Sequence, residues 1–232
     1  MIALTMGDPA GIGPEIIVKA LTHSDVRALA RFLVVGDLTV MERAISVTGS
    51  SLEPTVAKEV VAVGTDSKKL YVWDLSNLDR DDFAYGRISA GCGRAAFESI
   101  ETAIALALEE KVAATVTAPI NKEALHRAGI RYAGHTEIFA DKTGTRDYAM
   151  MLAHDSFRVV HVSTHISLRE ACDAVTRERV QRVIELAHDA LRKVGIHSPR
   201  IAVAGLNPHA GENGLFGREE IDHIGPAVEA TK

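Results

Sequence analysis

Residues 2–15, IALTMGDPAGIGPE, join a short apolar run to a glycine-rich turn and then to the start of a helix. The three glycines allow tight backbone turns, and Pro14 suits the first position of a helix. The spacing is not that of a dinucleotide-binding fingerprint, because the third glycine would fall at Ile16. The stretch predicts a plain strand-to-helix turn or, since Asp8 lies beside the glycines, a loop that faces a ligand.

The same alternation of short apolar runs and longer helical patterns continues along the chain. The runs that predict strands are IALTM, FLVVG, EVVAV, LYVWDL, AATVTA, FRVVHVST and RIAVAG. Two longer stretches predict amphipathic helices, whose apolar faces are formed by Phe97, Ile100, Ile104 and Leu108, and by Val180, Val183, Ile184, Ala187 and Leu191. Strands that alternate with helices predict an α/β fold with a parallel or mixed sheet covered on both faces.

The length and composition are ordinary for a globular protein: 232 residues, 47% hydrophobic and 25% charged, with a formal net charge of −5. A boundary near Gly129 predicts an N-terminal α/β part, 1–128, and a central α/β part, 129–232. A domain edge within residues 46–87 is the alternative. The sequence has no stripe of Lys and Arg interleaved with aromatic residues, so we expect no nucleic-acid partner.

Several features of the sequence indicate a cytoplasmic protein. The start, MIALTMGD, lacks a basic leader and reaches Asp8 too early for a signal peptide. No apolar run approaches membrane length, since IALALEE ends in Glu109 and Glu110. Cys92 and Cys172 are too few and too far apart to predict a disulfide framework or a cysteine zinc site. We therefore expect no membrane partner.

Polar residues follow the run AATVT, in the stretch APINKEAL. Pro119 is expected to end the strand, Asn121 suits a helix N-cap, and Lys122 falls in the first helical turn. Open α/β sheets bind ligands at the carboxyl ends of their strands, so the ammonium group of Lys122 could reach a ligand there. The alternative is a solvated lysine.

The stretch AGHTEIFADKTG places His135 and Thr136 at the predicted entry to a short helix. Both side chains could donate hydrogen bonds to an anionic or hydroxylated substrate. The alternative is that Thr136 caps the helix while His135 is exposed and has no role.

Two further histidines fall just past predicted strands. His165 follows FRVVHVST, and His209 follows RIAVAG within residues 205–222, GLNPHAGENGLFGREEID. A plain surface turn needs a glycine or a proline but no histidine. Imidazoles at corresponding ends of two strands are consistent with a metal site, but the spacing alone leaves open that the two histidines have unrelated places. His161, in contrast, lies inside the alternating run and is predicted to be a packed strand residue.

Five motifs occur in order along the chain: MGDPAGIGPE, TAPINKEAL, GHTE, STHISLR and GLNPHAGENGLFGREEI. Together they resemble the 4-hydroxythreonine-4-phosphate dehydrogenase family of vitamin B6 biosynthesis, and they cover nearly the whole chain. RDYAMML followed by VVHVSTHISLR is most similar to the branch that acts on 4-phospho-D-threonate or 4-phospho-D-erythronate. A distant branch handles aromatic dihydrodiols, but the His-Thr pair is not expected there and is present here.

The resemblance implies a fold similar to the isocitrate and isopropylmalate dehydrogenases, with two α/β/α parts around a cleft that a second subunit completes. His135 and Thr136 resemble the substrate-binding pair, while His165 and His209 resemble two of three metal ligands. Lys122 is the catalytic candidate, for proton movement or for balancing substrate charge, and no residue is assigned to the cofactor. The implied partners are NAD or NADP, a divalent ion (zinc, magnesium or cobalt), a small phosphorylated hydroxy acid and a second copy of the chain.

The implied reaction is oxidation of 4-hydroxythreonine-4-phosphate for pyridoxal phosphate biosynthesis, with decarboxylation of the resulting β-keto acid. The alternative is dehydrogenation of 4-phospho-D-threonate or 4-phospho-D-erythronate in sugar-acid catabolism.

In the family the third metal histidine lies in a His-Asp-Gln-Gly stretch, which these 232 residues do not contain. His223 does not replace it, because it is predicted to face solvent from a helix. We therefore expect a chain ending at Lys232 to be inactive by itself. It would be either an incomplete enzyme or a non-catalytic fragment that binds a phosphorylated acid or only dimerises.

Overall fold

A computed structural model describes the backbone of residues 1–232 and all side chains except that of Arg80. The chain forms two compact units, Met1–Gly144 and Thr145–Lys232. The first unit extends past residue 128, where the sequence predicted a boundary. It does so because the helix that contains Ile138 packs against the helix that contains Ile100, and both side chains are fully buried.

The first unit contains a five-stranded sheet. Its strands are β1 Ile2–Thr5, β2 Phe32–Gly36, β3 Glu53–Val56, β4 Lys69–Asp74 and β5 Ala114–Thr117. Its helices are α1 Gly13–Thr22, α2 Ser24–Leu29, α3 Leu38–Thr48, α4 Ala90–Leu108, α5 Lys122–Arg127 and α6 His135–Thr143, with short 3₁₀ turns at Val60–Ala62 and Arg80–Asp82. The spatial order is β3-β4-β2-β1-β5, and every pair is parallel. The predicted α/β class is therefore confirmed.

Apolar cores lie on both faces of this sheet, so β1 and β2 are apolar runs rather than alternating ones, with buried Thr5 at the end of β1 as the polar exception. On one face, Val18 of α1 and Met41 of α3 pack in the same cluster as Leu4. On the other face, Ala103 of α4 packs in the cluster of Ala3. Since α5 packs against α4, the chain leaves β1 and β5 toward opposite faces. The junction between these two strands is therefore a topological switch point, where open α/β sheets bind their ligands.

The second unit contains a two-stranded antiparallel sheet and helices. Its elements are β6 Met151–His154, β7 Phe157–Val160, α7 Leu168–Ala174, α8 Arg177–Lys193, a tight turn at Pro208–Gly214, a π-helical turn at Glu220–Ile224 and α9 Gly225–Ala230. The predicted apolar face of α8 is confirmed, because Val180, Val183 and Ala187 are buried. Throughout the described chain, none of the helices combines the length and apolarity that crossing a bilayer requires.

Three details differ from the sequence prediction. The run at residues 201–205 is not a strand, because it has no hydrogen-bonded strand partner within the described residues. The run at residues 59–63 forms a 3₁₀ turn that leaves Val61 82% exposed, and the edge strand is instead β3. Leu108 is exposed at the end of α4, where Leu106 faces the core in its place.

Candidate functional site

The loops after β1 and β5 are joined at the switch point. The backbone N–H of Asp8 donates a hydrogen bond of 2.9 Å to the carbonyl oxygen of Pro119. Gly7 has a φ of 74°, and a Cβ atom at this position would lie 2.4 Å from the same oxygen. Only glycine combines this left-handed backbone with so close an approach. The glycine-rich loop is thus fixed against the strand end that leads to Lys122.

The side chain of Asp8 folds back onto its own loop. Its Oδ1 accepts a hydrogen bond of 2.9 Å from the backbone N–H of Ala10, and the residue is buried. Burial raises the pKa of the Asp8 carboxyl, and the hydrogen bond from Ala10 lowers it by less. Asp8 therefore stabilises the plain turn that was one of the two sequence interpretations.

Thr136 does not cap a helix. Helix α6 begins at His135, its N-cap is Gly134, and no side chain makes a capping hydrogen bond there. Thr136 itself is exposed. The alternative interpretation, in which Thr136 serves only as a cap, is therefore wrong.

His135 is half-buried at the start of α6, beside the end of β5. Burial lowers the pKa of its imidazole, and a hydrogen bond with the backbone of Ala118 raises it by less, so the neutral form is favoured. The Nε2 atom is buried and has no hydrogen-bond partner among the described residues. A buried polar atom without a partner is costly, and such atoms occur at binding sites.

Lys122 occupies the predicted place at a helix start. Asn121 is the N-cap of α5, as predicted, and its Oδ1 accepts a hydrogen bond of 3.0 Å from the backbone N–H of Ala124. Lys122 is the first residue of α5 and is exposed. Its side chain is therefore accessible to a ligand, and its catalytic role stays a prediction.

His165 and His209 lie in the second unit, and both have the unusual left-handed backbone. Their φ angles are 59° and 51°, and both side chains are exposed. Among the residues the structure describes, no group of three or more His, Cys, Asp or Glu side chains could hold a metal ion. Two exposed imidazoles suit a zinc or cobalt ion chemically, but they supply only part of a ligand set.

His161 and His223, which were not predicted to bind a metal, are both half-buried. His161 directly follows β7, and its backbone N–H donates to the carbonyl oxygen of Met150 at 3.1 Å. His223 lies in the π-helical turn Glu220–Ile224 and is half-buried, so it faces solvent only in part. Its neighbour Ile224 packs in the core of this unit.

His209 is carried by a left-handed turn. All five residues from His209 to Asn213 have φ between 44° and 79°. Each non-glycine residue in this conformation costs about 1–2 kcal/mol, so surrounding contacts must hold the turn. Sequence reasoning noted the glycines and the acids of this stretch but did not identify those contacts.

The contacts come from Glu219 and Glu220. Both oxygens of the Glu220 carboxylate accept hydrogen bonds: Oε1 from the backbone N–H groups of Leu206 and Asn207, each at 2.7 Å, and Oε2 from the Asn207 side chain at 2.9 Å. Glu219 accepts a further bond from the Asn207 side chain at 2.6 Å. The paired acids in REEI were the sequence feature from which these residues could have been found.

Two dehydrogenases are similar to this chain over its full length. A D-threonate 4-phosphate dehydrogenase of Pectobacterium atrosepticum is 47% identical over 236 residues, which cover 100% of this chain and 71% of the relative. A 4-hydroxythreonine-4-phosphate dehydrogenase of Beijerinckia indica is 48% identical over 232 residues, with 100% and 68% covered.

Solved structures of the same kind share the fold. A 4-hydroxythreonine-4-phosphate dehydrogenase from Klebsiella pneumoniae superposes with a TM-score of 0.91 at 46% identity, covering 100% of this chain and 70% of that one. A family model described as "Pyridoxal phosphate biosynthetic protein PdxA" matches residues 28–232. This chain therefore belongs to the PdxA family.

Proposed function

We propose that the protein is a dehydrogenase that oxidises the CH–OH group of a small four-carbon acid with a terminal phosphate. The relatives from Pectobacterium and Beijerinckia, both named as dehydrogenases of such compounds, support this substrate class. NAD or NADP would accept the hydride, and a divalent ion (zinc, magnesium or cobalt) would polarise the oxygens of the substrate as a Lewis acid.

The observation that carries this proposal is the buried, unpartnered Nε2 of His135 at the switch-point edge of the sheet. A neutral imidazole whose other nitrogen interacts with the Ala118 backbone can use Nε2 to hydrogen-bond a hydroxyl group of the substrate. The exposed hydroxyl of Thr136, on the next residue of α6, would donate to a carboxylate or phosphate oxygen.

His165 and His209 would be the protein ligands of the metal ion. Imidazole nitrogens are the commonest nitrogen donors for zinc and cobalt, and both side chains are exposed to an incoming ion. Their left-handed backbone supports a functional role, because such conformations persist where a site requires them.

The reaction requires the protein to accept a proton in one step and to supply one in a later step. Oxidation of the carbinol carbon moves a hydride to the nicotinamide and releases the hydroxyl proton to a base. The product is a β-keto acid, which loses carbon dioxide and then takes up a proton at the carbon that carried the carboxylate. Lys122, exposed at the start of α5, is the proposed group for moving a proton or for balancing the charge of the substrate.

Two substrates differ only at the carbon beside the carboxylate. We propose 4-hydroxythreonine-4-phosphate, which carries an amino group there and would place the protein in pyridoxal phosphate biosynthesis. The second candidate, D-threonate 4-phosphate, carries a hydroxyl group and would place it in sugar-acid catabolism. It is favoured by the Pectobacterium relative, which is about as similar as the Beijerinckia relative.

A direct assay tests the proposal. Protein from the complete reading frame would be given both phosphorylated acids with NAD or NADP and with zinc, magnesium or cobalt, while NADH or NADPH formation is followed by absorbance. We expect turnover of at least one acid, loss of turnover on chelation, and much slower reaction of the same acids without phosphate. Absence of nicotinamide reduction under all of these conditions would reject the proposed function.

We also propose that the protein acts as a homodimer. Leu215 and Phe216 follow the turn that carries His209 and are 72% and 50% exposed, and a second copy would bury such apolar side chains. Analytical ultracentrifugation should therefore give a dimer mass, and replacing both residues with serine should shift the population to monomer. A wild-type monomer at the concentrations used for assay would contradict this point.

A further inference from the structure

Backbone hydrogen bonds close the two ends of the turn at Pro208–Gly214, and one of them joins Leu215 N–H to the carbonyl oxygen of Glu212 at 3.2 Å. The backbone N–H of Ala210 donates to the carbonyl oxygen of Asn207 at 3.1 Å, and that of Phe216 donates to Gly211 at 3.1 Å. The five left-handed residues between Pro208 and Gly214 are otherwise an unfavourable conformation. The direction of the His209 side chain therefore depends on what holds the ends of the turn.

Glu220 holds the residue at which the turn begins. Asn207 immediately precedes Pro208, and the Glu220 carboxylate accepts hydrogen bonds from both its backbone and its side chain. A third bond, from the backbone N–H of Leu206, fixes the preceding residue. The carboxylate thus uses three N–H donors of one segment.

The carboxylate of Glu220 also lies against the interior of the turn. A Cβ atom added to Gly211 would lie 3.0 Å from Glu220 Oε2, and one added to Gly205 would lie 3.2 Å from Oε1. The side chain is therefore packed between the segment before the turn and the middle of the turn. Glu219, by contrast, accepts from the Asn207 side chain and not from the backbone N–H groups of Leu206 and Asn207 that Glu220 binds.

We propose that Glu220 is a positioning residue for His209, which sets the direction of this metal ligand without contacting the metal. The inference rests on the proposed role of His209 as a ligand. Glu220 acts by hydrogen-bonding Asn207 on one side of His209 and packing against Gly211 on the other, so that the imidazole is held in one orientation before the ion arrives. Preorganised ligands bind a metal more tightly than ligands that must first be ordered.

Substitutions of Glu220 test the proposal through metal affinity. Glu220→Ala removes all three hydrogen bonds. Glu220→Gln keeps one acceptor oxygen but places a side-chain amide NH2, which is a donor, against the donor NH2 of Asn207. Glu229→Gln is the matched control, because Glu229 is exposed and its ion pair is with Lys232, at the far end of α9. His209→Ala reports the loss of the ligand itself.

Cobalt binding would be titrated by its visible absorption spectrum in protein from the complete reading frame. We expect the dissociation constant to rise about tenfold to a hundredfold in Glu220→Gln, further in Glu220→Ala, and not in Glu229→Gln. Excess metal should restore kcat in Glu220→Gln, which a misfolded variant would not show. Thermal melting curves would confirm that each variant is folded, and Glu220→Gln alone suffices if the alanine variant does not fold.

The inference is overturned if Glu220→Gln binds cobalt within about twofold of Glu229→Gln while His209→Ala binds it weakly, since the turn would then not need Glu220. It is equally overturned if His209→Ala leaves cobalt affinity unchanged, because no ligand would remain to be positioned. Failure of the proposed function is a separate result, since it appears as absence of nicotinamide reduction by the wild-type protein.

Discussion

The backbone N–H of Asp8 donates a hydrogen bond of 2.9 Å to the carbonyl oxygen of Pro119, and this bond connects the ends of β1 and β5. These strands are neighbours in the sheet but lie more than a hundred positions apart in the chain. The bond therefore assembles the switch-point edge from the two motifs MGDPAGIGPE and TAPINKEAL. His135, through its interaction with Ala118, lies at the same edge.

Substitution of Gly7 tests how tightly this edge is assembled. In Gly7→Ala the new Cβ would lie 2.4 Å from Pro119 O at a φ of 74°, so we expect a loss of about 1–2 kcal/mol from the backbone and about 1–3 kcal/mol from the clash. Gly49→Ala is the control, because its φ is 63° and nothing lies within 4 Å of the added atom. Urea unfolding should show the larger loss for Gly7→Ala, and equal losses would refute the close approach.

His135→Ala tests the proposed contact with the substrate. The variant removes Nε2, so we expect the KM for the phosphorylated acid to rise about tenfold or more while the melting temperature changes little. His126→Ala, an exposed position on α5, provides the control. Steady-state kinetics on both variants make the comparison. Unchanged KM and kcat in His135→Ala would remove this residue from the site.

The environment of His135 predicts a pH dependence of stability. Burial lowers the folded-state pKa of His135 below its ordinary value of 6.5, so the unfolded chain takes up the proton first as the pH falls. This contribution to stability is present above pH 6.5 and is lost as the pH falls through the lowered pKa. Urea unfolding from about pH 7 to about pH 5 should therefore show a smaller loss in His135→Gln than in wild type. Parallel curves would contradict the prediction.

The environment of Glu220 predicts a second pH dependence of stability, at acidic pH. Hydrogen bonds from Asn207 lower its pKa from 4.5 to about 2, so its contribution to stability is fully present above pH 4.5 and is lost as the pH falls toward 2. Glu220→Gln should be less stable than wild type near neutral pH, and the difference should shrink across this range. Glu229→Gln serves as the control in the same unfolding series. A difference that does not change with pH would show that the Glu220 carboxylate is not held as described.

Much of the first unit could be predicted from the sequence, because its central strands β1 and β2 are buried and its helices carry clear local features. Asn121 as N-cap and Pro14 at the start of α1 are such local features, and both are confirmed. Local features could not show that the apolar run at residues 201–205 does not form a strand. Apolar composition predicts burial, but a strand also needs a hydrogen-bonded partner, which depends on distant residues.

The sequence predicted which residues belong to the candidate site better than it predicted their backbone conformation. Motif spacing singled out His135, His165 and His209, but the left-handed backbone of the last two depends on contacts that no local pattern encodes. Glu220 is such a contact, since it lies 13 positions after Asn207 and binds both its backbone N–H and its side-chain amide. The paired acids at residues 219–220 mark candidates in the sequence, but only the structure shows which groups they bind.

Binding of one metal ion by both His165 and His209 can be observed directly by crystallography. Crystals of the protein from the complete reading frame would be grown with cobalt and a phosphorylated four-carbon acid, and anomalous scattering would be recorded at the cobalt absorption edge. The account predicts one strong peak at about 2.0–2.1 Å from imidazole nitrogens of both His165 and His209. A cobalt peak bound elsewhere, with these two imidazoles not ligated, would contradict it.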